Sequence, residues 1–188
     1  LEYLLSHKSQ NWFTLLGVAA LTVMADRISK TIIVHSLERF ETWHPPLSLL
    51  KSVFSLTHTS NTGAAFGLFP DQGVLFIIIA FVVITAIVFY YRHLPDGFGL
   101  VRVALGLQLG GALGNLIDRL NQGYVTDFID FNFWPLHNWP VFNLADSAIV
   151  VGVGLLALTM LREDIDERGR ERSGIENEVA GETEPSPR

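Results

Sequence analysis

Asp127, in GYVTDFIDFNFW, and Asp146, in FNLADS, are the residues of this sequence whose type and setting best suit hydrolytic chemistry. Two carboxyls sharing one proton can hydrolyse a peptide bond without a metal or a covalent nucleophile. The ionised member takes a proton from the attacking water, and the protonated member polarises the scissile carbonyl. Strand-like alternation sets Asp127, Ile129, Phe131 and Phe133 on one side, and Phe128, Asp130, Asn132 and Trp134 on the other. Asp127 thus shares the more apolar side, where desolvation favours a protonated carboxyl, while Asp130 is expected to be a solvated partner. Asp146 has a second reading. Asn143 is a suitable helix N-cap, with Asp146 the third helical residue answering the helix dipole.

Other polar groups surround these two in sequence. Asn115, Asp118 and Arg119 stand at i, i+3 and i+4 and so share one helical face. A local Asp118–Arg119 ion pair is their ordinary use, and holding a carboxylate or a substrate carbonyl is the alternative for Arg119. Asp26 and Lys30 are i, i+4 partners, for which mutual neutralisation is the simpler role. Asn61 and Gly63 lie in NTGAAFG, either a plain turn or a place of close backbone approach. Cysteine is absent, and none of the six histidines falls in an HxxxH or HExxH pattern. We therefore expect no metal and no cofactor.

The positioning elements follow from where the apolar residues cluster. A membrane-spanning helix needs about 20 mainly apolar residues, and four segments meet or approach that, at about 12–34, 74–92, 98–118 and 142–161. The second, GVLFIIIAFVVITAIVFYY, carries no charge. The predicted fold is an α-helical integral membrane protein with four transmembrane helices, and residues 1–162 form its single domain. The short link RHLPDGFGLVR has arginines at both ends, which makes it cytoplasmic by the positive-inside tendency. Both termini are then cytoplasmic, and the connections at about 35–73 and 119–141 face outward. Asp26, Asp118 and Asp146 gather near the outer face.

Trp12, Tyr90 and Tyr91 fall at inner boundaries and Trp134 and Trp139 at an outer one, where amphipathic rings prefer to lie. In the first outer connection Pro45-Pro46 ends what precedes it, and SVFSLTHTS alternates enough to predict a small extracytoplasmic β-element. Gly106, Gly110 and Gly114 leave one helical face bare for a neighbouring helix. The first apolar stretch lacks a small-residue cleavage site, so a removable signal peptide is not expected. Residues 163–188 hold nine acids against four bases, which accounts for −5 of the net charge of −6, and are expected to form an acidic disordered cytoplasmic tail.

Together the stretches DRISK, NTGAAFG, GGALGNLIDR, GYVTDFIDF and FNLADS resemble the lipoprotein signal peptidase (signal peptidase II) family, in an order covering the chain from Asp26 to Asp146. The resemblance implies an intramembrane aspartyl endopeptidase of the bacterial inner membrane that cleaves prolipoproteins before a diacylglyceryl-modified Cys, without metal. It implies Asp127 and Asp146 as the catalytic pair, with Asn61, Gly63, Asn115, Arg119 and Asn143 supporting the site and Asp26, Lys30 and Asp118 as structural polar groups. It also implies diacylglyceryl prolipoprotein substrates, contact with membrane phospholipid and inhibition by the cyclic peptide globomycin. We expect a monomer and no nucleic-acid partner. Ser29 stands where Thr is more usual in such proteins, and Thr126 where an apolar residue is common. A different class, a small proton-coupled carrier with Asp26, Asp118 and Asp146 as a relay, requires charges spread through the bilayer, whereas these collect on one side.

Overall fold

Lipid offers no hydrogen bonds to a backbone, so spanning segments must satisfy their own N–H and C=O groups, and helices do so internally. The computed structural model describes residues 2–63, 68–95, 97–136 and 139–182. It contains α1 (Glu2–Ser36), β1 (Thr42–Trp43), α2 (Ser48–Lys51), β2 (Phe54–Asn61), α3 (Gly73–Tyr91), α4 (Gly99–Gln122), β3 (Val125–Phe131) and α5 (Leu144–Glu182). Among the described residues four stretches are long and apolar enough to cross a membrane: Trp12–Ser36, Gly73–Tyr91, Gly99–Gln122 and Leu144–Asp166. These are the four expected spans, each shifted by a few residues at its ends.

The helix α4 is the central one, with 67% of its most apolar stretch buried, and it packs against α1, α3 and α5. On the other three the large apolar side chains are mostly exposed, among them Leu21, Ile78, Phe81, Val82 and Val150. Such outward apolar faces fit a hydrocarbon surround. Glycines let the central helix approach its neighbours. A Cβ on Gly110 would lie 2.6 Å from the Thr22 Cβ and 2.7 Å from the Ala19 carbonyl of α1. On the other flank, a Cβ on Gly152 of α5 would lie 2.6 Å from the Ala104 carbonyl of α4. Gly110→Ala should therefore cost about 1–3 kcal/mol through overpacking. Thermal unfolding in detergent checks this against Gly17→Ala, whose added methyl would meet nothing within 4 Å.

At the end of the bundle where α1 and α4 finish and α3 and α5 begin sits a three-stranded antiparallel sheet in the order β1-β2-β3. The β-forming stretch before Asn61 becomes β2, and β1 ends two residues before Pro45. Thr59 pairs with Asp127 and Leu56 with Ile129, so β2 carries one extra residue between those pairs, a bulge. The helix α4 stops at Gly123, whose φ of 81° is left-handed and whose N–H donates to the Arg119 carbonyl at 3.1 Å. That turn leads straight into β3.

Three expectations change. The stretch from residue 163, expected to be disordered, continues α5 as helix to Glu182. A helix already nucleated in the membrane adds residues without a new nucleation cost, and Glu- and Arg-rich sequence propagates well, with Arg168 pairing Asp164 one turn back at 2.9 Å. Residues 183–188 lie outside the described residues, as do Ala64–Gly67 of NTGAAFG. Tyr91 is not at a lipid boundary but buried with Leu15, Ala19 and Leu105, its ring edge-on to Trp12 at 4.7 Å, while Tyr90 stays exposed. Asp130 is not simply solvated. It accepts from Ser55 Oγ at 3.0 Å and Thr57 Oγ1 at 3.3 Å, hydroxyls that β2 presents across the sheet.

Candidate active site

Asn143 precedes α5 and its N-capping side chain is fully buried. Its Oδ1 accepts from the Asp146 N–H at 2.9 Å, and Asp146 Oδ2 accepts from the Asn143 N–H at 3.2 Å. That is a reciprocal capping box, so the capping reading of Asp146 is correct. The same box leaves Asn143 Nδ2 free to donate elsewhere. It does so to Asp127 Oδ1 at 2.6 Å and to Asn115 Oδ1 at 3.2 Å. One amide thus ties the start of α5, the strand β3 and the helix α4 together around the two aspartates.

Each carboxylate is held on both oxygens. Asp127 Oδ2 accepts from Asn61 Nδ2 at 3.0 Å, and Asp146 Oδ1 accepts from Asn115 Nδ2 at 2.7 Å. Neither amide is free to turn over. The Asn61 oxygen is occupied by the Gly63 N–H at 2.9 Å, which directs its NH2 to Asp127. The Asn115 oxygen is occupied by Lys30 Nζ at 3.1 Å as well as by Asn143. A Cβ on Gly63 would lie 2.6 Å from the Leu68 carbonyl and 2.9 Å from that of Phe69, so no larger residue fits where the loop returns. Burial, and secondly the charge of Asp146, push the Asp127 carboxyl up to about 7, against the opposing bonds from Asn61 and Asn143.

Behind the pair lies a buried ionic cluster. Lys30 Nζ is 2.8 Å from Asp26 Oδ2 and 2.9 Å from Asp118 Oδ2, with all three side chains almost wholly buried. Asp26 Oδ1 also accepts the Ala145 N–H at 3.1 Å, one of the unpaired donors at the start of α5. Asp118 Oδ2 accepts the Thr126 N–H at 3.2 Å, immediately before Asp127. The structural pair expected of Asp26 and Lys30 is therefore a brace for the segments that carry both aspartates. The ion pair expected between Asp118 and Arg119 is not formed. Asp118 turns to Lys30 and Arg27 instead.

Arg119 Nη2 donates to the Gly63 carbonyl at 3.2 Å, and its guanidinium lies over the Phe76 ring at 5.1 Å from the centroid. Among the described residues its buried Nε has no hydrogen-bond partner. Adjacent residues on a helix point about 100° apart, which is why Asp118 faces α1 while Arg119 faces α3 and the loop. Asp127, Asp146, Asn61, Asn115, Arg119 and Phe76 line one cavity of about 150 Å3, room for several waters at about 30 Å3 each. Sequence reasoning missed Arg27 and Phe76. Arg27 is masked by its place next to Asp26, and Phe76 is one apolar residue in an apolar run.

Comparison with known proteins covers the same part of the chain. Residues 18–162 match the family model described as signal peptidase (SPase) II. The chain is 41% identical over 147 residues to a lipoprotein signal peptidase of Halothermothrix orenii, covering 78% of this chain and 94% of that protein. It is 44% identical over 154 residues to one of Moorella thermoacetica, covering 82% and 96%. Its fold is similar to a solved bacterial membrane enzyme with a TM-score of 0.71 and 31% identity, over 80% of this chain and 89% of that one.

Proposed function

Because the chain belongs to the signal peptidase II family, a multi-pass membrane peptidase acting on prolipoprotein signal peptides, we propose that it hydrolyses its substrates by a two-aspartate mechanism without metal, with Asp127 and Asp146 as the catalytic pair. The observation that carries this reading is Asn143, whose single side chain bonds to Asp127 and caps Asp146, the two aspartates that line one small cavity. The N-terminus of α5 and the bonds that the Asp146 carboxylate accepts from the Asn143 N–H and Asn115 Nδ2 favour charge on Asp146. Asp127, raised to about 7, keeps the shared proton.

Asp146 takes a proton from water as the oxygen attacks the scissile carbonyl, and Asp127 passes its proton to the carbonyl oxygen. A gem-diol results. Asp146 then gives its proton to the departing amine, the C–N bond breaks, and a gem-diol hydroxyl returns a proton to Asp127. Both carboxylates are restored to their starting states. Arg119, with Nε unpaired at the cavity, is a donor for a substrate carbonyl. Asn61, Asn115 and Asn143 each aim N–H groups at the carboxylates, a donor-lined setting that opposes a cation needing those lone pairs.

The family's substrates point to a scissile bond just before a diacylglyceryl-modified Cys, which the lipid would anchor at membrane depth. With the site near the outer face and both termini cytoplasmic, the signal peptide enters along the bundle from the lipid. The test is cleavage of a purified diacylglyceryl prolipoprotein by the purified protein, followed from pH 5 to 9. Cleavage resistant to EDTA and blocked by globomycin is expected, and cleavage abolished by EDTA and restored by a divalent ion would overturn the mechanism. Since Asp127 must enter protonated and its carboxyl is raised to about 7, kcat/KM is expected to be high below that pH and to fall about tenfold per unit above it.

A further inference from the structure

Beyond the cavity that holds the aspartates, a second one of about 200 Å3 runs down the bundle between α3, α4 and α5. The two share Phe76, Asn115 and Arg119, so they adjoin across these side chains. The deeper part is apolar, with Ala80 and Val83 on α3, Ala112 on α4 and Ile149 on α5. Gln108 interrupts it. Its side-chain NH2 is buried and has no hydrogen-bond partner among the described residues. Its stem is fitted closely against α5, where a Cβ on Gly152 would lie 2.8 Å from the Gln108 Cγ.

An amide donor left unpaired in an apolar setting is destabilising, so a purely structural position would favour Leu. A substrate supplies the missing acceptor. To be cut, a peptide must leave the helical state near its scissile bond, and at membrane depth each unwound carbonyl then lacks a partner. Gln108 lies seven residues before Asn115 on α4, about 10 Å further along the bundle at about 1.5 Å per residue. An extended peptide rises about 3.3 Å per residue, so that distance corresponds to the third residue before the cleavage site. Resting on the peptidase reading above, we propose that Gln108 is a substrate-positioning residue whose NH2 donates to the backbone carbonyl of about the third residue upstream of the scissile bond. This holds the signal peptide extended where lipid would rewind it.

The test uses the full chain with Gln108→Leu, and two synthetic diacylglyceryl substrates. One has an ordinary backbone, and in the other an ester replaces the amide that includes that carbonyl, which weakens it as an acceptor. With the ordinary substrate, Gln108→Leu is expected to raise KM about fivefold to tenfold, the loss of one hydrogen bond of about 1–1.5 kcal/mol. The ester should raise KM for the unaltered protein and not further for Gln108→Leu. The melting temperature of Gln108→Leu should be unchanged or higher, because an unpaired donor has been removed. Equal KM values for the two proteins, additive effects of ester and substitution, or a lower melting temperature accompanying the raised KM would each overturn the proposal. No cleavage by the unaltered protein would overturn the peptidase reading and this inference together, whereas the other outcomes leave that reading intact.

Discussion

Asp127→Asn and Asp146→Asn are each expected to lower kcat for prolipoprotein cleavage by about 10⁴-fold or more, with the double variant hardly worse than either single one. Groups that act as one unit lose nearly everything when any member is removed. An amide in place of Asp127 cannot deliver the proton, and one in place of Asp146 cannot take it from water. Folding should survive both changes in different ways. Asn at 146 keeps a side-chain oxygen for the Asn143 N–H, now 3.2 Å from the carboxylate, and gives up the bond from Asn115 Nδ2. Asn at 127 meets NH2 groups from both Asn61 and Asn143, so one of those bonds is lost as the buried carboxyl is removed. Single-turnover cleavage with the purified variants, alongside their melting temperatures, checks this. Cleavage by folded Asp146→Asn within a hundredfold of the unaltered rate would remove Asp146 from the chemistry and leave it as a helix cap.

Lys30→Met should be the most destabilising single change in the bundle, at about 3–5 kcal/mol. Removing one member of a buried ionic group leaves the others uncompensated, and Lys30 touches Asp26, Asp118 and Asn115 at once. Asp118 retains Arg27, so the isolated charge falls on Asp26, which is completely buried. Adding Asp26→Asn should therefore recover at least half of the lost stability, because an amide can still accept the Ala145 N–H. Unfolding in detergent of the single and double variants is the measurement. A double variant no more stable than Lys30→Met would show that the ion pair is not what the lysine secures.

The spans could be read directly from the sequence because membrane length and apolar content act on each segment alone. No contact is needed to recognise GVLFIIIAFVVITAIVFYY as α3. The Gly106, Gly110 and Gly114 spacing likewise identified a bare face by helical geometry, although only packing reveals that Gly110 meets α1 and Gly152 meets α4. The polar site residues were visible because charged and amide groups are rare and costly in such a chain. Their partners were not. Asp118 was expected beside Arg119, its neighbour in sequence, yet α1 and β3 supply its bonds, and the 100° turn between adjacent helical residues sends Arg119 elsewhere. Gln108 gave no signal at all, since its meaning depends on a groove made by three helices.

The sequence by itself determined that four helices cross a membrane, that carboxylates and amides collect toward one end of them, and which family's motifs they follow. Each of these depends on composition or on spacing within a single segment. Only the tertiary structure decided that Asn143 serves both aspartates, that Asn61 and Asn115 are fixed in orientation by Gly63 and Lys30, and that Asp127 is buried enough to retain a proton near neutrality. Hydrogen-bond partners and desolvation are set by segments distant in the chain, so no local reading can supply them.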